Sequence, residues 1–218
     1  MPNYATSSTE SSKENTKNLY FAGPLFNHPE LIGNRYLAEA IEEKSAKEGK
    51  YKYKCTLPQD LEQDSPDAKK IKDNDLRCLK TSDGGLFNFN GVDQDSGTVV
   101  EYMANIYLRH PTVIYRTDFR AGGNNNRTEK ADPWNLMLSN YPHVEVVVID
   151  NIMGKYQNAL KEYQGNVDEA TKALSLVIAE PIIEALDKAF DNPPPLPQGF
   201  TLEMIGEYFD TVNGLDLQ

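Results

Sequence analysis

Leu86–Arg116 reads LFNFNGVDQDSGTVVEYMANIYLRHPTVIYR. A short run of large apolar residues, Leu86–Phe89, gives way to Gly91 and then to three carboxylates, Asp93, Asp95 and Glu101. Gly97–Arg109 carries apolar residues at helical intervals, and Pro111–Arg116 returns to β-branched and aromatic residues. The stretch is therefore a strand, a helix and a second strand. That alternation, if it extends along the chain, means a parallel sheet covered by helices on both faces.

It does extend. Asn18–Ala22 reads as a short buried strand stopped by Gly23-Pro24. Glu30–Glu48 has helical periodicity, with Leu31, Leu37, Ala40 and Ile41 on one side. Tyr51–Leu57 alternates like a strand. Ser65 followed by Pro66 is a cap and a first-position proline, opening a helix to about Lys80. His143–Asp150 (HVEVVVID) is the strongest strand signal. Met153–Tyr163 reads as a surface helix, and Val167–Phe190 as a long helix bent at Pro181. The predicted fold is α/β: a flavodoxin-like, doubly wound sheet of about five mainly parallel strands flanked by helices. The strand order is not readable from these signals.

Residues 1–17 are polar and rich in Ser and Thr, so they are expected to form a disordered tail. Residues 18–192 are expected to form one α/β catalytic domain. Residues 193–218 read as a Pro-rich spacer followed by an apolar tail, with Leu202, Met204, Ile205, Tyr208 and Phe209, that docks on the body or on a neighbouring subunit. Thr117–Asn135 is a long polar loop with a Gly-Gly-Asn-Asn-Asn run.

The 218 residues carry a formal charge of -11, which argues against nonspecific attraction to nucleic acid or an anionic membrane. No apolar run approaches the ~18 residues of a transmembrane helix, and the start of the chain lacks a secretory signal pattern. The two cysteines, Cys55 and Cys78, have no metal-like spacing and read as core thiols of a reducing cytoplasm. His28, His110 and His143 are scattered. The expected location is cytoplasmic.

In open parallel sheets, ligands bind at the carboxyl ends of the strands. Those ends are followed here by Gly23–Asn27, by Leu57–Asp60, by Asp93–Glu101 and by Arg116–Arg120. In the third segment Asp95 or Ser96 serves as a helix cap, and acids suit the positive helix end. That explains Asp93 and Asp95 but not Glu101, one turn inside and on a partly apolar face. The helix end is expected to help keep Glu101 ionised, as a nucleophile requires. On the preceding helix Ile71, Asp75 and Leu79 fall at i, i+4 and i+8, which sets Asp75 on the apolar stripe. Desolvation would raise its pKa and suit it to general acid work. Two such carboxylates are equipment for cleaving a glycosidic bond through an oxocarbenium-like transition state without a metal.

At this point the sequence resembles the nucleoside 2-deoxyribosyltransferase family. The resemblance runs through about residues 19–150 and rests on five pieces in order: Tyr20–Phe26, Leu57–Gln59, Asn74–Leu76, Asp95–Glu101 and Asn135–Met137. It implies exchange of the base on a 2-deoxyribonucleoside, a step of nucleotide salvage, with free nucleobases as co-substrates and no cofactor or metal. It implies Glu101 as the nucleophile, Asp75 as the acid that protonates the departing base, and Tyr20 as the phenol that holds Glu101. Asp95 would contact the sugar, and Gln59 would read the base edge. Gly23, Phe26, Gly97 and Met137 would line the substrate site. Asn135 would reach the site of a neighbouring subunit, which implies a homo-oligomer.

Two other readings stay open. A nucleoside or nucleotide N-glycosidase would use the same site with water as acceptor. A non-catalytic nucleotide-binding module would use the fold alone. Arg116 and Arg120 are either loop salt bridges or a phosphate contact, and Trp134 either packs or lines the site.

Overall fold

The computed structural model describes residues 15–61, 67–120 and 132–215. Five strands form one sheet: β1 (Thr16–Ala22), β2 (Lys52–Thr56), β3 (Gly84–Asn88), β4 (Thr112–Arg116) and β5 (Val144–Val148). Every pairing is parallel, in the order β2-β1-β3-β4-β5. This is the flavodoxin-like doubly wound order, in which the chain reverses direction across the β1/β3 boundary and opens a crevice beyond their carboxyl ends.

Strand alternation sends successive residues of β1 to opposite faces. Leu19 and Phe21 enter one core, against α1 (His28–Glu48) and α5 (Val167–Asp191). Tyr20 and Ala22 enter the other, against α2 (Ala68–Thr81) and α3 (Ser96–Tyr107). Strands β3 and β4, buried along their whole lengths, divide in the same way. The helix α4 (Ile152–Glu162) lies on α5.

Several boundaries differ from the sequence reading. β1 begins at Thr16, because Thr16 and Lys17 pair with Lys52 and Tyr53, so strand structure takes in the last residues of the expected tail. The remainder of that tail, residues 1–14, lies outside the described residues. So do the expected cap at Ser65, its partner Pro66, and residues 121–131 of the long loop. The described helix α2 starts at Ala68, and Asp67 caps it by accepting from the Lys69 amide at 2.9 Å. The helix α5 continues through Pro181 as one element.

Beyond α5 the chain crosses to the α2/α3 face. The Arg109 guanidinium donates to the Pro195 carbonyl at 3.0 and 2.6 Å, which ties the Pro-rich segment down. The helix α6 (Leu202–Asn213) then buries Phe209, and Leu215 follows it into the same core. Each buried side chain of this size contributes about 1.5–3 kcal/mol. Lys80 pairs with Asp210 at 2.6 Å, while Lys72, two turns earlier on α2, donates to the Asn213 carbonyl at 2.9 Å. The helix α6 therefore runs antiparallel to α2.

Candidate active site

The carboxyl ends of β1 and β3 meet at a close approach. A side chain on Gly23 would place its Cβ 2.8 Å from the Asn88 Cβ, so no larger residue fits without moving the strand end. Beside it, three carboxamides form a chain. Asn34 donates to the Pro24 carbonyl at 3.0 Å and, at a long 3.4 Å, to the Gln59 side-chain oxygen. Asn88 reaches the Asn34 oxygen at 3.5 Å, and its own oxygen accepts from the Asn90 amide at 3.0 Å. Gln59 in turn donates to the Leu31 carbonyl at 2.9 Å. The backbone groups at Pro24, Leu31 and Asn90 fix which end of each amide faces which way.

On the α2/α3 side of this crevice, Tyr20 donates its phenol to the Glu101 carboxylate at 2.5 Å. Tyr20 is fully buried on β1, and its burial and the Glu101 charge push its pKa far up, so it remains a neutral donor. Glu101 sits in the second turn of α3. Asp95 caps that helix, accepting from the Thr98 amide at 2.7 Å and the Thr98 hydroxyl at 2.9 Å. Gly97 keeps the turn narrow, since a Cβ there would lie 3.1 Å from the Asp95 carboxylate.

The electrostatics of Glu101 correct one expectation. Burial raises its pKa to about 7, and the charges of Asp75 and Asp95 add to the rise. The Tyr20 hydrogen bond opposes this and does not win. Glu101 does not rest at an ordinary carboxylate pKa, and loss of solvent is the largest cause. The same influence on Glu101 and on Tyr20 sets Asp75 beside the pair.

The stripe assigned to Asp75 is also different in detail. Leu76 and Leu79 are the buried apolar residues of α2, whereas Asp75 and Ile71 are half-buried. The buried carboxylate of that helix is Asp73, held below the usual range by Lys69 and Lys72, 2.6 and 3.1 Å away.

The other residues named from sequence divide between exposed and buried positions. Phe26 is exposed, its amide donating to Glu30 at 2.8 Å. Asn135 is exposed and caps a single 3-10 turn by accepting from the Met137 amide at 3.0 Å. Met137 projects into solvent. Trp134 is fully buried, edge-on to Phe89 with ring centres 5.4 Å apart, which is a packing role. Arg116 is fully buried and turns its donors to the carbonyls of Phe89, Gly91, Asp118 and Arg120. Arg120 pairs with Asp118 at 2.6 Å. Both arginines thus tie the loops after β3 and β4 together. Cys55 and Cys78 are free thiols whose pKa burial pushes up.

Sequence reasoning passed over Asn34, Asn88 and Gln94. The Gln94 side-chain nitrogen is buried without a hydrogen-bond partner in the described structure, two residues from the α3 start. The only signal for these amides was polar residues set among apolar ones in Asn88-Phe89-Asn90.

A profile of the nucleoside 2-deoxyribosyltransferase family matches residues 19–137. The chain belongs to this family. Those residues span β1 through the 3-10 turn at Leu136–Leu138 and include Tyr20, Gln59, Asp75, Asp95 and Glu101. Among solved structures the chain is similar to a conserved protein from Enterococcus faecalis V583, at 22% identity over 79% of this chain and 98% of that one, with a TM-score of 0.44. It is also similar to a 2-desoxiribosyltransferase from Leishmania mexicana, at 21% identity over 67% of this chain and 99% of that one, with a TM-score of 0.44. Comparison with curated protein sequences gave no match. Among the described residues no helix is long and apolar enough to cross a membrane.

Proposed function

We propose that the protein exchanges the nucleobase of 2-deoxyribonucleosides through a covalent deoxyribosyl ester on Glu101. The observation that carries this reading is the Tyr20–Glu101 hydrogen bond of 2.5 Å, made by a desolvated carboxylate at the strand-end crevice, within a chain of this family. A 2-deoxy sugar lacks the electron-withdrawing 2-hydroxyl, so its oxocarbenium-like transition state is comparatively accessible. Glu101 attacks the anomeric carbon as the carbon–nitrogen bond to the base breaks. Asp75 gives its proton to the departing base. The incoming base then attacks the ester, Asp75 accepts its proton, and two inversions give net retention.

Glu101 must be ionised to attack, and with its pKa raised to about 7 the competent fraction grows as pH rises through neutrality. Tyr20 favours the ionised form and fixes the attacking oxygen. Asp95, at the α3 cap, contacts the sugar hydroxyls in this reading, which its position at the start of the Glu101 helix supports. Gln59 keeps one amide hydrogen and one lone pair beyond those used by Leu31 and Asn34, which suits it to a base edge. Gly23, Gly97 and Phe26 line the approach. Asn135 and Met137, both exposed, serve the site of a neighbouring subunit. No cofactor or metal enters these steps.

Incubation of the protein with deoxyinosine and free adenine, read by chromatography, tests this. Deoxyadenosine is the expected product. Hypoxanthine with free deoxyribose and no deoxyadenosine would replace the transferase with a hydrolase. If a pyrimidine deoxynucleoside is also left untouched, the enzyme reading is wrong.

A further inference from the structure

A polar side chain on the buried face of a helix needs a partner or a purpose. Asn34 is such a residue, in the second turn of α1 and 5% exposed. Satisfying the Pro24 carbonyl would take one donor from it, and the structure shows more. Backbone groups polarise three carboxamides in one direction, from the end of β3 to the 3-10 turn at Pro58–Asp60. The Asn90 amide faces the Asn88 oxygen, which turns the Asn88 nitrogen toward Asn34. The Pro24 carbonyl takes the Asn34 nitrogen, and that nitrogen also faces the Gln59 oxygen. The Leu31 carbonyl takes the Gln59 nitrogen. Gly23 leaves the room in which the first two amides meet, since a Cβ there would lie 3.3 Å from the Asn88 nitrogen and 3.5 Å from the Asn34 oxygen. Arg35, next along α1, pairs with Asp60, next along the turn, so α1 holds that turn from two successive residues.

We propose that Asn34 is a positioning residue for base recognition: it fixes the sense of the Gln59 carboxamide, so that Gln59 offers a carbonyl oxygen and an N–H side by side in one set order. The Asn34–Gln59 link is long, at 3.4 Å, and contributes little energy. Its effect is on orientation. Turning the Gln59 amide over would set its oxygen against the Leu31 carbonyl and its nitrogen against the Asn34 nitrogen. Two hydrogen bonds would be lost and two contacts of like polarity made. With Asn34 removed, the Leu31 carbonyl alone opposes that turn among the described residues, and the amide can swing about a single bond. Held in one sense, Gln59 suits a base edge that presents a donor next to an acceptor, as the amino group and adjacent ring nitrogen of a 6-aminopurine do. A purine without the 6-amino group leaves the Gln59 oxygen unanswered. This assignment rests on Gln59 as the base reader of the proposed function, and the roles of Glu101 and Asp75 do not enter it.

Equilibrium dialysis of the full-length protein with free adenine and with unsubstituted purine reads the contact without any chemistry. The wild type is expected to hold adenine about 3- to 10-fold more tightly, the worth of one neutral hydrogen bond. Asn34→Ala and Gln59→Ala are each expected to bring the two bases within about twofold of each other. The double variant is expected to add nothing further, because Asn34 acts through Gln59. In exchange from deoxyinosine, the loss in Asn34→Ala falls on the KM for adenine rather than on kcat. If Asn34→Ala loses its fold by circular dichroism, Asn34→Asp, which keeps the shape and loses the donor, carries the same comparison, and loss of fold in both would overturn the proposal. Equal binding of the two bases by the wild type would overturn it too. So would full discrimination in the Asn34 variant, or an additive loss in the double variant, which is the mark of a merely structural Asn34. Coupled discrimination in a protein that exchanges no base would keep Asn34 in this role and remove the transferase. Exchange without the coupling would do the reverse.

Discussion

Among the described residues, two buried tyrosines donate to carboxylates, one on each face of the sheet. Tyr20 donates to Glu101 at 2.5 Å on the α2/α3 face, and Tyr53 donates to Asp187 at 2.7 Å on the α1/α5 face. Both phenols are buried, and burial raises both pKa values. The settings differ. Tyr53 lies near the start of β2, and Asp187 also receives the Lys50 amide at 3.3 Å. Tyr20 lies near the end of β1, at the strand edge where open parallel sheets bind ligands, and its carboxylate is pushed up to about 7. One pair staples a helix to a sheet. The other holds a carboxylate that remains poorly solvated next to two further acids. Identical donor chemistry thus serves packing at one edge and, in our reading, reactivity at the other.

The largest effect that separates the pairs falls on turnover. Glu101→Ala should lower kcat/KM by roughly 10³- to 10⁵-fold with the fold intact, as loss of a nucleophile does. Asp187→Ala should leave the rate unchanged and cost stability only. Turnover by Glu101→Ala at the wild-type rate would end the distinction.

The tyrosines sharpen it. Tyr20→Phe removes a hydrogen bond to a charged group, about 1.5–3 kcal/mol, or some 10- to 100-fold in rate. Because that bond lowers the Glu101 pKa, its loss must raise it further. The wild-type kcat/KM should climb as pH rises through about 7, and the variant should climb at higher pH. A wild-type profile that falls through pH 7 would recast Glu101 as the acid. Tyr53→Phe should cost about 1 kcal/mol in stability and leave the pH profile unmoved.

Stability supplies the next comparison. The folded pKa of Glu101 is raised from 4.5 to about 7, so the folded state holds more protons than the unfolded state between those values. Stability from this group is therefore present below about pH 4.5 and is lost as pH rises toward 7. Glu101→Gln should stabilise the protein by on the order of 3 kcal/mol at pH 8 and leave it unchanged at pH 4. Denaturant melts at the two pH values read this. Equal effects at both would mean that Glu101 is not desolvated.

A last effect concerns the crevice itself. Gly23→Ala, with its Cβ 2.8 Å from Asn88, should cost about 1–3 kcal/mol and disturb the Asn34–Gln59 chain. If melting is unchanged, the strand ends are not in close approach.

How much of this was legible follows from which signals are local. The strands and helices α1 to α5 could be read because alternation and helical spacing are properties of neighbouring residues, whereas α6 read only as an apolar tail. The division of β1 into two cores was implicit in the same alternation. Strand order was not legible, since it depends on which crossover passes which face. Asp75 was selected by a spacing shared with Ile71 and Leu79, yet the core of α2 is centred on Leu76 and Leu79. Asp73 and its two lysines therefore went unnoticed. The Asn34–Asn88–Gln59 chain joins residues from three separate segments, so no spacing could announce it. The charge environment of Glu101 was misjudged for the same reason. Helix position is visible in sequence, but burial, the largest cause of the raised pKa, depends on residues brought together by the fold.

The central claim is that Glu101 carries the sugar between bases. The most direct measurement is to mix the protein with a deoxyinosine substrate and no acceptor base, quench in acid within the first turnovers, and map the modified peptide by mass spectrometry. The account predicts a deoxyribosyl ester on Glu101, formed in step with release of hypoxanthine and discharged when adenine is added. Release of hypoxanthine from unmodified protein, or an adduct on another residue, would contradict it.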